Sequence, residues 1–166
     1  MKRALLLFGL AFVACSSPDP DARVDPGVGA SGVDFYPVSL VIVDKCGSID
    51  CHGSKYRNMR LYGYGSSRFN PAHRPAFPET TQAEADQNYE SVAAVEPNLF
   101  RQVIAEGGIN PQRLTFIRKG RGTEDHKGGT TILPGDDADL CIQSWLQSKV
   151  DTARCQAAVP RLNEKK

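Results

Sequence analysis

Five cysteines, at positions 15, 46, 51, 141 and 155, constrain this chain more than any other feature, because their placement decides which segments must meet. The first closes a leader. Lys2 and Arg3 precede the apolar run Ala4 to Ala14, which is too short to span a bilayer and ends in a small residue, the pattern of an export signal over residues 1–14. An exported chain folds where thiols oxidise, so Cys46, Cys51, Cys141 and Cys155, even in number, read first as two disulfides. The local pairings, Cys46 with Cys51 and Cys141 with Cys155, need the least chain closure.

A cysteine directly after the cleavable stretch resembles the lipobox of bacterial lipoproteins, although Phe12-Val13-Ala14 is a looser lead-in than the usual Leu-small-small. The resemblance implies a lipid anchor on Cys15, with Ser16 rather than Asp after it implying passage to the outer membrane, periplasmic side. Residues 15–33 then form a tether: three prolines and three glycines lie between Ser16 and Val33, with almost nothing to bury. Random-coil scaling puts the domain on the order of 20–25 Å from the bilayer. The domain starts near Asp34 and is expected to run to Val150, followed by a tail, 151–166, stapled by Cys155.

Composition narrows the class. Of 166 residues, 40% are hydrophobic and 23% charged, which excludes a wholly disordered chain. No apolar run approaches the roughly 18 residues of a spanning helix, so membrane contact is expected through the anchor alone. A net charge of +1 offers no basic excess for nucleic acid, and nothing points to a homo-oligomer. Fifteen glycines and 11 prolines predict short elements joined by long loops.

His52 breaks the symmetry between the two cysteine pairs. In Cys46-Gly47-Ser48-Ile49-Asp50-Cys51-His52-Gly53 an imidazole directly follows the second thiol, the arrangement that covalent haem attachment needs. A second patch, Glu124-Asp125-His126-Lys127-Gly128-Gly129 followed by Asp136 to Leu146, places a histidine beside glycines ahead of a helix carrying Trp145. Together these patches resemble a c-type cytochrome domain in a variant with four residues, instead of the usual two, between the thiols. The resemblance implies a mainly α, small helical domain with long Gly/Pro-rich loops, one haem c on Cys46 and Cys51 through thioethers, and His52 as proximal iron ligand. It also implies a distal ligand, for which the order of preference is His126, His73 and Met59. Met59 lies seven residues after His52 and shares its side of the ring, His73 sits among prolines, and His126 is flanked by glycines that let backbone approach a flat ligand.

Periodicity supplies the helices. Apolar residues at 138, 141, 142, 145 and 146 form one stripe, with Asp136 or Asp137 as the start signal. Thr81 and Glu84 make a capping-box pattern that opens a helix to about Ala94, and Pro97 opens another that reaches Glu106 before Gly107-Gly108. Asp34 to Lys45 is ambiguous: Val38, Val41, Ile42 and Val43 suit a strand, whereas the resemblance implies a helix. Arg57, Arg60 and Arg68, interleaved with Tyr56, Tyr62 and Tyr64, are either haem-propionate partners or a solvated basic loop.

The expected function is electron transfer to an unidentified redox protein partner. The alternative is a haem-free, disulfide-stapled binding or structural lipoprotein on a cytochrome-like scaffold. Peroxidase-like enzyme activity would require an open sixth iron position, and a zinc site built on Cys46, Cys51 and His52 is the other metal reading.

Overall fold

A computed structural model of the protein describes residues 32–163. The leader 1–14, Cys15 and the tether up to Ser31 lie outside the described residues. The chain is mainly helical: α1 Tyr36–Cys46, α2 Gln82–Ala93, α3 Pro97–Ala105, α4 Thr115–Gly120, α5 Asp137–Leu146, α6 Thr152–Ala157 and α7 Pro160–Asn163. Short 3₁₀ turns at Val33–Phe35 and Pro111–Arg113 complete the regular structure among the described residues, and no helix there is long and apolar enough to cross a membrane.

Burial settles the ambiguity at the first segment in favour of helix. Val38 to Val43 are six consecutive buried residues, so α1 is surrounded on all sides, packing on α2, α5 and α6. Four β-branched residues cost at most about 0.7 kcal/mol each in helix propensity. Burying a Val or Ile returns about 1.5–3 kcal/mol. Packing therefore outweighs propensity. Around α1 an aromatic group closes the core: Trp145 of α5 is fully buried, with the rings of Phe35, Phe100 and Tyr89 centred 4.7, 5.5 and 6.3 Å away.

Helix starts follow local chemistry. The Thr81 hydroxyl accepts from the Glu84 backbone N–H while the Glu84 carboxylate accepts from the Thr81 N–H at 2.9 Å, a complete capping box for α2. Asp136 caps α5 by accepting from the Asp139 N–H at 2.8 Å. Asp151 accepts from the N–H groups of Ala153 and Arg154 and opens α6.

Cys141 of α5 and Cys155 of α6 form a disulfide, both sulfurs belonging to buried residues. The segment beyond Val150 is stapled by that disulfide, and it also packs against α1 and α5. Cys155 of α6 and, in the turn between α6 and α7, Ala158 and Val159 join the same core, and Arg161 of α7 pairs with Asp44 of α1 at 2.6 Å. The apolar trio at 157–159 is what the sequence reading passed over, since it is too short for a periodicity of its own.

From Gly47 to Thr81 there is no helix, only turns and two isolated bridges, Tyr62 with Ser67 and Arg74 with Phe77. Arg68 organises this stretch. Its guanidinium is nearly fully buried, pairs with Glu84 at 2.7 Å, and donates to the carbonyls of Arg74, Pro78 and Glu79. Five donors on one planar group suit it to hold a loop against a helix.

Candidate functional site

The turn after α1 is tied back on itself. The His52 N–H donates to the Cys46 carbonyl at 3.1 Å, while the Cys51 and Gly53 N–H groups both donate to Ser48 at 2.9 Å. Gly53 is required there: a Cβ would lie 2.3 Å from the Gly47 carbonyl oxygen and 2.6 Å from Ser66 Oγ. This tight winding puts Cys46, Cys51 and His52 beside one another, both thiols free.

The segment Met59 to Tyr62 clasps His52. The Leu61 N–H donates to the His52 carbonyl at 2.7 Å, and His52 Nδ1 lies 2.7 Å from the Met59 carbonyl oxygen. A carbonyl only accepts, so Nδ1 carries the proton, and in the neutral ring Nε2 keeps its lone pair. Burial, helped by the nearby charges of Arg57 and His126 and opposed by the Met59 bond, holds the His52 pKa below its ordinary value. The neutral, ligating form is thereby favoured.

A cavity of about 460 Å³ opens beside this clasp, with Cys46, His52, Met59, Phe116, Lys119 and His126 among its walls. A second, of about 240 Å³, shares Cys46, His52, Lys119 and His126 with it and adds Cys51 and Thr131. Residues separated by 74 positions in sequence, His52 and His126, thus line the same space. The lining of the pair includes Lys45, Arg57, Lys119 and Lys127 but no aspartate or glutamate.

His126 is held differently from His52. It rides on the loop 121–131, whose neck is closed where the Gly120 carbonyl accepts from the N–H groups of Thr131 at 2.9 Å and Ile132 at 3.0 Å. Its Nδ1 is buried and makes no hydrogen bond. Cys46 Sγ lies 3.9 Å from Thr131 Oγ1 on the same loop, and burial pushes the Cys46 thiol up to about 11 despite that contact. Cys46 is therefore a protonated thiol at neutral pH and a poor nucleophile on its own.

The other two candidates part ways. His73 lines a separate pocket with Ala72, Arg74, Phe77 and Pro78, away from both cavities. Met59 is half-buried at the cavity wall, and its carbonyl binds His52, which sets its backbone on the His52 side. Of the three arginines, Arg57 reaches the cavities; Arg68 is committed to Glu84, and Arg60 stacks over the Tyr62 ring at 4.4 Å. No group of three or more His, Cys, Asp or Glu that could hold a metal ion occurs among the described residues.

The sequence reading missed α4 entirely, and with it Thr115, Phe116 and Lys119 of the cavity wall. Its signals were short-range: Leu114 and Ile117, three apart and both buried, followed by Arg118 and Lys119 in the last turn. A distant cap completes it, as Glu96 accepts from the Thr115 N–H at 2.6 Å and its hydroxyl at 2.9 Å. No protein-family model, no curated protein and no solved structure matches this chain.

Proposed function

We propose that the protein is an electron carrier with one haem c. The observation that carries this reading is the His52 ring, fixed through Nδ1 on the Met59 carbonyl at a cavity wall that also holds two free thiols and a second histidine. A metal-ligating histidine characteristically gives its other ring N–H to a carbonyl or carboxylate, which fixes its tautomer and raises its basicity. When bound, haem supplies reversible one-electron chemistry at iron.

The chain's own residues fit such a group. Cys46 and Cys51 would hold it through thioethers, His52 through Nε2 on the proximal side, and His126 on the distal side. The cavity size falls in the range of cofactor pockets. Arg57, Lys119 and Lys127 are cations in the lining that could pair with the carboxylates of such a ligand, and the lack of carboxylates there removes like-charge repulsion. A bis-histidine centre has no exchangeable ligand and lacks a thioether on iron, which places its potential below that of His/Met centres. In this reading the domain is carried on Cys15 as an exported, outer-membrane lipoprotein and exchanges electrons with a redox partner protein.

The test is a haem-stained denaturing gel of protein exported from cells equipped for cytochrome c maturation, run beside a Cys46→Ala/Cys51→Ala control. Stain that migrates with the wild-type chain and vanishes in the control is the expected result. A colourless chain, produced while a reference cytochrome matures in the same cells, overturns the reading, and a Cys46–Cys51 disulfide found in that chain would favour the haem-free, stapled binding lipoprotein. Cyanide or carbon monoxide binding to a stained chain would reveal an open sixth position and a peroxidase-like site instead.

A further inference from the structure

The clasp that orients His52 is itself anchored, and the anchor is one buried amide. Asn88 of α2 is fully buried. Its Oδ1 accepts from the Tyr62 N–H at 2.8 Å, and its Nδ2 donates to the Tyr62 carbonyl at 2.8 Å and to Ser39 Oγ of α1 at 2.9 Å. The amide thus reads both backbone groups of one residue, as a neighbouring strand would, in a stretch that has no strand partner on that side. One residue before Tyr62, Leu61 is fully buried and donates to the His52 carbonyl, while its own carbonyl accepts from Ser66 Oγ at 2.8 Å. Two residues before that, Met59 offers the carbonyl that fixes His52 Nδ1.

We propose that Asn88 is a positioning residue for His52: its side-chain amide pins the segment 59–62 to α1 and α2, and that segment sets the ring orientation of His52 through the Met59 carbonyl. The purpose assigned to this arrangement rests on the haem reading; the arrangement itself does not. A peptide carbonyl on an unsupported loop would swing, and the ring bonded to it would swing too. Here the last rigid body before the ring is a pair of packed helices, with Asn88 between them and the clasp. An apolar residue at 88 would fill the same space and support the core, but it would leave the Tyr62 N–H and carbonyl without partners, and the clasp free to leave α2.

The experiment measures hydrogen exchange at His52 Nδ1–H by ¹⁵N-histidine NMR in the full chain isolated without haem. Three proteins are compared: wild type, Asn88→Ala and Ser39→Ala. Ser39→Ala removes one partner of the amide but leaves both bonds to Tyr62. In wild type and Ser39→Ala the proton is expected to be protected. In Asn88→Ala, which removes both bonds to Tyr62, its exchange should accelerate by at least roughly tenfold, with the Trp145 indole N–H unchanged as the check on the fold. Should Asn88→Ala be recovered unfolded, Asn88→Ser keeps a neutral hydroxyl that cannot reach both backbone groups of Tyr62, and is expected to accelerate exchange by less. Exchange in folded Asn88 variants equal to that of Ser39→Ala overturns the proposal. In the haem-loaded proteins, Asn88→Ala should show a high-spin absorption component that Ser39→Ala lacks. Wild-type protein that takes up no haem overturns the function, and the exchange comparison still decides the role of Asn88.

Discussion

His52 and His126 line the same cavities from walls built in opposite ways. Around His52, main chain and ring are both bonded, the clasp is gripped by Asn88, and the loop beyond is held by the buried Arg68–Glu84 pair. Around His126, the loop is fixed at its neck while the ring has a buried nitrogen without a partner. The difference teaches where orientation comes from. One histidine ring is oriented by a hydrogen bond, and the other keeps a buried nitrogen without one, so a group that engaged both would find the first already oriented.

Breaking the His52 wall should produce the largest effect. Glu84→Ala leaves the Arg68 guanidinium buried and unpaired and should cost about 3–5 kcal/mol by urea denaturation. The same carboxylate predicts a pH dependence. Burial alone would raise its pKa, but the Arg68 guanidinium and the N–H groups of Thr81 and Phe69 outweigh this and hold it below the ordinary value of 4.5. A depressed pKa means that the stabilisation is fully present above pH 4.5 and is lost as pH falls through the folded value, because the unfolded chain then binds the proton more readily. The fall in the denaturation midpoint below that pH should be shallower in Glu84→Gln; an equal slope would remove Glu84 from the account.

The disulfide serves both walls alike. Cys141→Ala/Cys155→Ala opens a loop with a sequence separation of 14 and should cost about 3 kcal/mol. Exchange of backbone amides should rise together in α1 and in the 121–131 loop. A rise in one wall alone would show that α5 and α6 support the two histidines unequally.

Cys46 stands between the walls, and its thiol sharpens the comparison. With its pKa raised to about 11 by burial, alkylation of the reduced, haem-free chain at pH 8 should proceed at Cys46 on the order of a hundredfold more slowly than at an ordinary thiol. Mass spectrometry of timed samples reads this directly. Ordinary reactivity would mean that the 121–131 loop, which brings Thr131 to Cys46, opens often.

The smallest effect is expected at the His126 wall. Gly129 has φ +64° with no atom near a would-be Cβ, so Gly129→Ala carries backbone strain without a clash and should cost about 1 kcal/mol. Amide exchange should rise in residues 121–131 and stay unchanged at Leu61 and Tyr62. Equal changes in both would show that the walls are coupled and that the contrast between them is only apparent.

Much of the frame was legible in the residues. Thr81 and Glu84 form the capping box their spacing implied, Asp136 caps α5, and Trp145 sits in the core at the centre of its stripe. Cys141 and Cys155 join as the shorter closure suggested. These features depend on neighbours within a turn or two, or on a short loop, and such neighbours are written side by side. Arg68 shows the limit: three arginines among tyrosines read as one basic group, yet one is a buried latch, one stacks on a ring and one faces a cavity, because their partners come from α2, from Tyr62 and from the Asp50 carbonyl. The packing of the C-terminal segment was hidden for the same reason, since α6 meets α1, more than a hundred residues earlier in the chain, as well as its neighbour α5.

The sequence by itself determined a helical chain with a cysteine–histidine turn at one end, a disulfide at the other and loops too rich in glycine and proline to order themselves. Only the tertiary structure decided that His126, and not His73, shares a cavity with His52, that α4 supplies a wall of that cavity, and that Asn88 grips the segment that orients the first histidine. The physical reason is that capping and periodicity act over a few residues, where composition and spacing report them, whereas a cavity wall and a buried hydrogen-bond partner exist only once a core has brought distant segments together.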